Sequence, residues 1–147
     1  MKIIDATIAH VNAVYDLICE LQDEKLDKDN FSQIYKDNIS NQDIYYFLAF
    51  NEESAIGFAS LHVQKLLHHC AKIGEIQEIV VSQAQRGIGV GAMLFEKLRE
   101  AAVANNCEML EVCCNKARVS SHQFYLRQGM QKSHFKFTCS LKGDISI

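Results

Sequence analysis

Two glutamates, Glu75 and Glu78, lie within the otherwise apolar stretch Gly74–Val81, which reads GEIQEIVV. Charged side chains seldom lie in such a run without a partner or a chemical role. A carboxylate partly removed from water there is suited to accept a proton from a nucleophile. Side chains alternate along a strand, so the two carboxylates are expected on opposite faces unless a β-bulge intervenes. We therefore expect one of them to meet a substrate, while an edge position or a cation-paired carboxylate is the structural alternative for each.

A second chemical signal is the glycine-rich stretch Arg86–Gly91, RGIGVG, which is followed by Ala92. It lies between a predicted strand and a predicted helix, where free backbone N–H groups and the helix dipole favour a phosphate or pyrophosphate. A turn needed only for packing is the structural alternative, but glycine in the first turn of a helix costs stability.

Two nucleotide-type motifs compete to explain these glycines. Gly87, Gly89 and Ala92 fit the dinucleotide fingerprint, with Glu111 at the spacing of the ribose-binding acid. However, too little chain follows Ala92 for a second mononucleotide-binding half. No Gly-Lys-Ser/Thr follows either, so the sequence lacks the phosphate loop of NTPases. The remaining interpretation is an Arg-x-x-Gly-x-Gly pattern that begins at Arg86.

Hydrophobic periodicity predicts elements in the order β-α-α-β-β-β-α-β-α-β. The predicted strands are Lys2–Thr7, Asp43–Asn51, Ala55–Lys65, Ile73–Ser82, Glu108–Cys114 and Met130–Leu141, and the predicted helices are Ala9–Asp23, Phe31–Ile39, Gly87–Asn106 and Arg118–Gln128. Hairpins followed by a βαβ unit predict an α/β domain with a mixed, mostly antiparallel central sheet flanked by helices. The βαβ unit is expected to be a right-handed crossover between parallel strands.

The composition fits one folded domain over residues 1–147, because 48% of the residues are apolar and 22% are charged. The sequence shows no run of 18 apolar residues and no secretory signal, so we expect a cytoplasmic protein with no membrane partner. The six cysteines include no C-x-x-C pair. This predicts reduced, mostly buried thiols rather than disulfides or zinc ligands.

The net charge of −3 hides an asymmetry, since residues 1–57 carry a balance of −7 and residues 58–147 a balance of +4. Chance is one explanation, and binding of a polyanion by the second half is the other. The sequence contains no dense basic run or aromatic-basic stripe, so we expect no nucleic-acid partner. A small phosphorylated ligand fits the asymmetry better.

At its position before a helix, the pattern beginning at Arg86 resembles the coenzyme A pyrophosphate loop of the GNAT superfamily of N-acetyltransferases. The resemblance extends to the strand end before the loop and to Phe124–Met130. It implies the GNAT fold, acetyltransferase activity and acetyl-CoA as co-substrate. The cofactor-binding residues that it implies are Ile79, Val80, Val81, Arg86, Gly87, Gly89, Val90, Gly91, Ala92 and Asn115. Gln83 departs from the family, which often has proline there, and this changes the rigidity of the loop more than its chemistry.

Longer stretches resemble the aminoalkylphosphonate N-acetyltransferases. These stretches are Val14–Leu21, Leu67–His69, Gly74–Val81 and Ser133–Thr138. The resemblance implies direct acetyl transfer, in a ternary complex, to a small-molecule amine that carries a phosphonate, and it suggests a homodimer. An enzyme of the same fold that acts on another small amine or a protein N-terminus is one alternative. A non-catalytic acyl-CoA-binding module is the other.

Acetyl transfer to an amine needs a proton acceptor for the amine, a hydrogen-bond donor for the oxyanion and a proton for the departing thiolate. The family's usual base position matches Glu75, which we place first, with Glu78 second. Tyr125 matches the general-acid position, and the alternative is a half-buried tyrosine with its hydroxyl in water. The backbone N–H near Val80 or Val81 is the expected oxyanion donor.

Two histidines, His69 and His134, are predicted to contact the acidic group of the acceptor. His134 belongs to a basic face with Lys132 and Lys136, for which a solvated strand face is the structural alternative. A plain loop is the alternative for His68 and His69. Adjacent residues on an extended chain point apart and no third ligand has a recognisable spacing, so we expect no metal site.

Overall fold

The computed structural model describes residues 1–143, in which five strands and four α-helices alternate with short 3-10 turns. The strands are β1 (Lys2–Asp5), β2 (Ile44–Asn51), β3 (Ser54–Leu66), β4 (Ala71–Val81) and β5 (Met109–Val112). The helices are α1 (Val11–Gln22), α2 (Lys28–Ile39), α3 (Val90–Ala104) and α4 (Val119–Arg127). The 3-10 turns are Ile8–His10, Leu67–His69 and Gln83–Gln85. The chain divides between Val112 and Cys113 into two units, and a single domain over residues 1–147 stays a prediction.

The strands form one open sheet in the order β1-β2-β3-β4-β5. The first four strands run antiparallel to their neighbours, whereas β5 pairs parallel to β4. A parallel pair needs a long crossover connection, and α3 provides it between β4 and β5. The predicted mixed, mostly antiparallel sheet with a βαβ unit is therefore confirmed.

Helices cover both faces of this sheet in the first unit, residues 1–112. On one face, Val14, Leu17 and Ile18 of α1 and Tyr35 of α2 form a buried cluster with Leu48, Phe58 and Val80 from the strands. On the other face, α3 lies so close to β3 that a Cβ added at Gly57 would be 2.9 Å from Leu94 Cδ1. A larger residue at Gly57 would therefore crowd the side chains of Leu94 and Val90 on α3.

The predicted sixth strand, Met130–Leu141, is wrong, because the chain from Met130 to Gly143 forms neither helix nor strand. Phe135 and Phe137, the apolar side of the alternating pattern, are 87% and 92% exposed. Alternation predicts which side chains would share a face, but a strand also needs a neighbour for its backbone hydrogen bonds.

Two smaller expectations also need correction. The predicted burial of most thiols is wrong, since Cys70, Cys113 and Cys139 are exposed and the other cysteines are half-buried. Helix α3 begins at Val90 rather than at Gly87, because Gly87 and Gly89 adopt left-handed conformations that cannot continue into a helix.

Within residues 1–143, no helix is long and apolar enough to cross a membrane.

Candidate active site

Two glycines in left-handed backbone conformations shape the loop between β4 and α3. Gly87 has a φ of 85° and Gly89 a φ of 90°. A Cβ added at either glycine would meet no atom within 4 Å, so backbone conformation rather than crowding requires glycine here. Gly89 is the N-cap of α3, and Val90 behind it is buried. The N–H groups of the first helical turn have no acceptor within the helix and are suited to bind an anion.

Side chains hold this loop against its neighbours. The Nε of Arg86 donates to the carbonyl of Val81 at 3.1 Å, although the Arg86 side chain is exposed. The backbone N–H of Gln83 donates to Oε1 of Glu20 at 2.8 Å, which connects the loop to α1. The loop is thereby linked both to the end of β4 and to helix α1.

The end of β4 has one open edge. Ile79, Val80 and Val81 pair with β3, whereas β5 pairs with β4 only from Ile73 to Ile76. Among the described residues, no strand therefore pairs with the β5 side of β4 beyond Ile76. Backbone groups alternate in direction along a strand, so part of this segment's N–H and C=O groups point to that edge. Such an edge can bind an extended ligand through backbone hydrogen bonds.

A β-bulge in β4 changes the relation between the two glutamates. Glu78 pairs with Ser60 and Glu75 pairs with His62, while Gln77 has no partner in β3. Directly paired residues share a face of a sheet, and Ser60 and His62 lie two residues apart on β3. Glu75 and Glu78 therefore lie on the same face, because the β-bulge that the alternation argument left open is present and its extra residue interrupts the alternation.

Each carboxylate has a neighbouring hydrogen-bond donor. The fully buried Ser60 hydroxyl donates to Oε1 of Glu78, and it accepts the backbone N–H of Glu78 at 3.0 Å. The Nε2 of Gln77 donates to Oε1 of Glu75 at 2.8 Å. These contacts fix the orientation of both carboxylates.

Glu78 lines a cavity of about 260 Å³ between this face of the sheet and helices α1 and α2. Its other walls are mostly apolar or aromatic: Val14, Ile18, Phe31, Ile34, Tyr35, Asn38, Tyr46, Phe58, His62 and Gln77. A small, mostly apolar cavity with a few converging polar groups is typical of a small-molecule site. Of the two predicted base candidates, Glu78 is the one that lines it.

A hydroxyl inside this cavity is held in its protonated form. The Nδ2 of Asn38 donates to the Tyr46 hydroxyl at 2.8 Å. Burial raises the pKa of Tyr46, the hydrogen bond from Asn38 opposes the rise, and the charge of Glu78 adds to it. Tyr46 also packs against Tyr35 and Phe58, with ring centroids 5.4 and 5.2 Å away. The cavity therefore presents a phenol O–H near a carboxylate.

Tyr125 and Asn115 belong to the second unit. Tyr125 is half-buried on α4, and its pKa is raised mainly by burial and further by Cys114, against an opposing effect of Arg118. The Oδ1 of Asn115 accepts the N–H of Ala117 at 2.9 Å, so this side chain caps the turn before α4. The structure thus places Tyr125 as a protonated phenol and gives Asn115 a local structural role.

The two predicted acceptor-binding histidines have local partners. The Nε2 of His69 lies 3.6 Å from Oε1 of Glu111, and the rings of His68 and His69 are 4.3 Å apart rather than pointing away from each other. His134 lies in the second unit, where its Nδ1 is 2.6 Å from the Ser133 hydroxyl. Across residues 1–143, no group of three His, Cys, Asp or Glu side chains could hold a metal ion.

Several site residues were not selected from the sequence. They are Glu20, Asn38, Tyr46, Ser60 and His62. The alternation of β3 placed Ser60 and His62 on one face with Phe58, but only the register with β4 shows that Glu75 and Glu78 face them. Nothing in the sequence signals the roles of Glu20, Asn38 and Tyr46, because their partners are 63, 8 and 32 positions away in the chain.

Comparison with known proteins decides the family. Residues 11–130 match the acetyltransferase (GNAT) family. The chain belongs to this family. Membership confirms the expectation of an N-acetyltransferase that depends on acetyl-CoA, because GNAT acetyltransferases use this co-substrate.

Individual proteins resemble the chain in sequence or in fold. Over 136 residues the chain is 40% identical to the aminoalkylphosphonate N-acetyltransferase of Salmonella typhimurium, with coverage of 92% of this chain and 88% of that protein. Two solved structures share the fold. A transcriptional regulator from Bacillus halodurans has a TM-score of 0.87 at 19% identity, covering 95% of this chain and 99% of that one. The aminoglycoside N-acetyltransferase AAC(6')-Iy in complex with CoA has a TM-score of 0.86 at 15% identity, covering 96% and 94%.

Proposed function

We propose that this GNAT enzyme transfers the acetyl group of acetyl-CoA to the primary amine of a small aminoalkylphosphonate, directly and within a ternary complex. The observation that carries the acceptor class is the 40% identity with the Salmonella enzyme over 92% of the chain. The cavity of about 260 Å³ beside Glu78 supports a small acceptor, because a peptide or a nucleic acid would need an extended groove.

The first chemical step is removal of a proton from the acceptor. An alkylammonium group with a pKa near 10 has no free electron pair at neutral pH and cannot attack a thioester. Glu78 takes this proton, since its carboxylate lines the cavity and is oriented by Ser60. Glu75, on the same face, accepts a hydrogen bond from Gln77 and holds this amide in position.

The residues around the end of β4 fit the co-substrate. The open edge of Ile79–Val81 offers backbone groups to the pantetheine arm. The exposed loop Arg86–Gly89 and the first turn of α3 offer N–H groups and a guanidinium to the pyrophosphate. Acetyl-CoA supplies an acetyl group that is activated as a thioester.

Acetyl transfer makes one bond and breaks another. The amine nitrogen forms a bond to the acetyl carbon, and the bond between that carbon and sulfur breaks. Glu78 takes the first proton of the ammonium group before the attack, and Tyr125 is the proposed donor of a proton to the thiolate. The nitrogen then loses its second proton to solvent, and solvent returns a proton to Tyr125. A backbone N–H near Val80 or Val81 donates a hydrogen bond to the carbonyl oxygen as its negative charge develops.

The experiment is a thiol-release assay at fixed acetyl-CoA with a panel of amines. We expect 2-aminoethylphosphonate and aminomethylphosphonate to exceed ethanolamine in kcat/KM by on the order of 10²-fold. A polyamine and a short peptide complete the panel. If either of them is the best acceptor, the phosphonate assignment is wrong although the enzyme class stands. Acetyl-CoA binding without acetylation of any amine would contradict the proposed chemistry.

A further inference from the structure

The charge of the cavity beside Glu78 does not match a phosphonate at first sight. Its lining contains one carboxylate, several rings and amides, and neither lysine nor arginine. A bound aminoalkylphosphonate brings an ammonium group, which suits Glu78, and one or two negative charges, which do not. Among the lining residues, all within the first unit, His62 is the side chain that can carry a positive charge.

The register of β3 and β4 sets the distance between the two ends of such a ligand. Ser60, which orients Glu78, lies two residues before His62 on the same face of β3. Strand geometry separates these positions by about 7 Å. An ammonium group hydrogen-bonded to Glu78 at about 2.8 Å leaves room for a short carbon spacer before the acid group reaches His62. The spacing therefore suits an amine and an acid group joined by one or two carbons.

His62 has one apolar and one acidic cross-strand neighbour. Its neighbour on β2 is the apolar Ile44, and its neighbour on β4 is Glu75, whose Oε1 accepts a hydrogen bond from Gln77. The other ionisable groups on this cavity are Glu78 and the phenols of Tyr35 and Tyr46. An imidazole presents at least one N–H donor in either protonation state, so His62 can bind a phosphonate oxygen whether it is neutral or charged.

We propose that His62 is the residue that selects acceptors bearing an acidic group, by donating a hydrogen bond to that group while Glu78 binds the amine. The inference rests on the proposed function and assigns it a specificity-determining residue. His69 is the alternative hydrogen-bond donor. It lies in the turn between β3 and β4, beside Glu111, and does not line the cavity.

The test compares two acceptors, 2-aminoethylphosphonate and ethanolamine, in the wild type and three variants. His62→Phe keeps a ring of similar size and removes the donor. Gln64→Ala is the matched control, because Gln64 lies two residues further on the same face of β3 and outside the cavity. His69→Asn tests the alternative histidine. The measured quantity is the ratio of kcat/KM for the two acceptors, which is insensitive to the fraction of folded enzyme.

We expect His62→Phe to lower this ratio at least tenfold through the phosphonate substrate, whereas Gln64→Ala and His69→Asn leave it unchanged. An equal loss with both acceptors, or a drop in the ratio with His69→Asn alone, would overturn the proposal. A wild-type enzyme that does not prefer the phosphonate would instead contradict the acceptor class in the proposed function. If His62→Phe does not fold, His62→Gln retains one amide donor and is expected to give an intermediate ratio; an unchanged ratio would count against His62.

Discussion

Glu75 and Glu78 share one face of the sheet because the bulge at Gln77 takes up the residue that would otherwise turn them apart. Two carboxylates three positions apart on a regular strand would point to opposite sides. Here both face the side covered by α1 and α2, yet they differ in their surroundings. Glu78 lines the cavity and is bound by a buried hydroxyl, whereas Glu75 is bound by the Gln77 amide. This difference predicts different roles for the same functional group.

The first prediction separates these roles with one isosteric change at each position. Glu78→Gln is expected to lower kcat/KM by on the order of 10²-fold or more near pH 7. The loss should shrink as the pH approaches the pKa of the amine, because the free base no longer needs a proton acceptor. Glu75→Gln should cause a smaller loss. Steady-state kinetics between pH 6 and 10 provide the measurement, and a pH-dependent loss in Glu75→Gln alone would reverse the assignment.

The second prediction concerns the loop before α3. Gly89→Val is expected to abolish measurable acetyl-CoA binding in calorimetry, because a β-branched residue opposes a φ of 90° and its side chain would occupy the pyrophosphate site. Gly129→Val is the matched control, since Gly129 has a φ of 91° and equally open surroundings outside the loop. The control should lose comparable stability and keep its affinity. Equal affinity of a folded Gly89→Val would separate the loop from co-substrate binding.

The third prediction concerns the proposed acid on α4. Tyr125→Phe should reduce kcat by on the order of 10²-fold with little change in acetyl-CoA affinity, because the ring and its contact with Phe124 remain. Burial raises the pKa of Tyr125 above the ordinary value of 10.0, so the wild-type hydroxyl keeps its proton up to at least that pH. Tyr45→Phe, which removes a hydroxyl bonded to Asn105, is the control. Wild-type turnover in Tyr125→Phe would show that another donor protonates the thiolate.

The fourth prediction concerns alkaline stability. Burial, with a contribution from Tyr46, raises the pKa of Tyr35 from 10.0 to about 12. Above pH 10 the unfolded chain loses this proton while the folded chain retains it. The free energy of unfolding therefore falls as the pH rises from 10 to about 12, by up to about 1.4 kcal/mol per pH unit for one such group. Below pH 10 this contribution is constant.

Tyr35→Phe tests this argument by removing the titrating hydroxyl. At pH 8 the variant should be less stable by about 1 kcal/mol, because the hydrogen bond of 2.7 Å to the Thr7 carbonyl is lost. The deficit should shrink between pH 10 and 12, since only the wild type loses stability through this group. Urea denaturation at several pH values provides the measurement, and a deficit that is independent of pH would contradict the raised pKa.

Sequence periodicity was sufficient to predict β1 to β5 and α1 to α4, and in α1 and α3 the periodic apolar residues are those that the structure buries. It failed for Met130–Leu141, where a clean alternation has no strand partner in the described residues. The glycine loop could be located from the sequence, because Gly87 and Gly89 have left-handed backbone conformations that favour glycine. Its exact boundary with α3 could not, since the same residues also fit a helical start.

The arrangement of the cavity depended on information that no local pattern contains. Ser60 appears in the sequence as a small residue on an apolar face, and its hydrogen bonds to Glu78 follow only from the pairing of β3 with β4. The bulge is likewise a property of two strands together, because Gln77 is extra only with respect to β3. Tyr46 and Asn38 meet through the packing of α2 on β2. Pairwise register, rather than residue type, positions these groups.

The hydrogen bond from the Gln83 N–H to Glu20 connects α1 to the loop proposed to bind acetyl-CoA. The same helix forms one wall of the cavity proposed to bind the acceptor. The helix contributes Val14 and Ile18 to the cavity beside Glu78, and it contributes Glu20 to the loop before α3. A helix moves as a nearly rigid rod, so a displacement of the loop also shifts this wall of the cavity. Such a linkage is thermodynamically reciprocal, because each ligand changes the affinity of the other by the same factor. Acetyl-CoA and acceptor are therefore expected to bind cooperatively, and Glu20→Gln should weaken the cooperativity while leaving each separate affinity nearly intact.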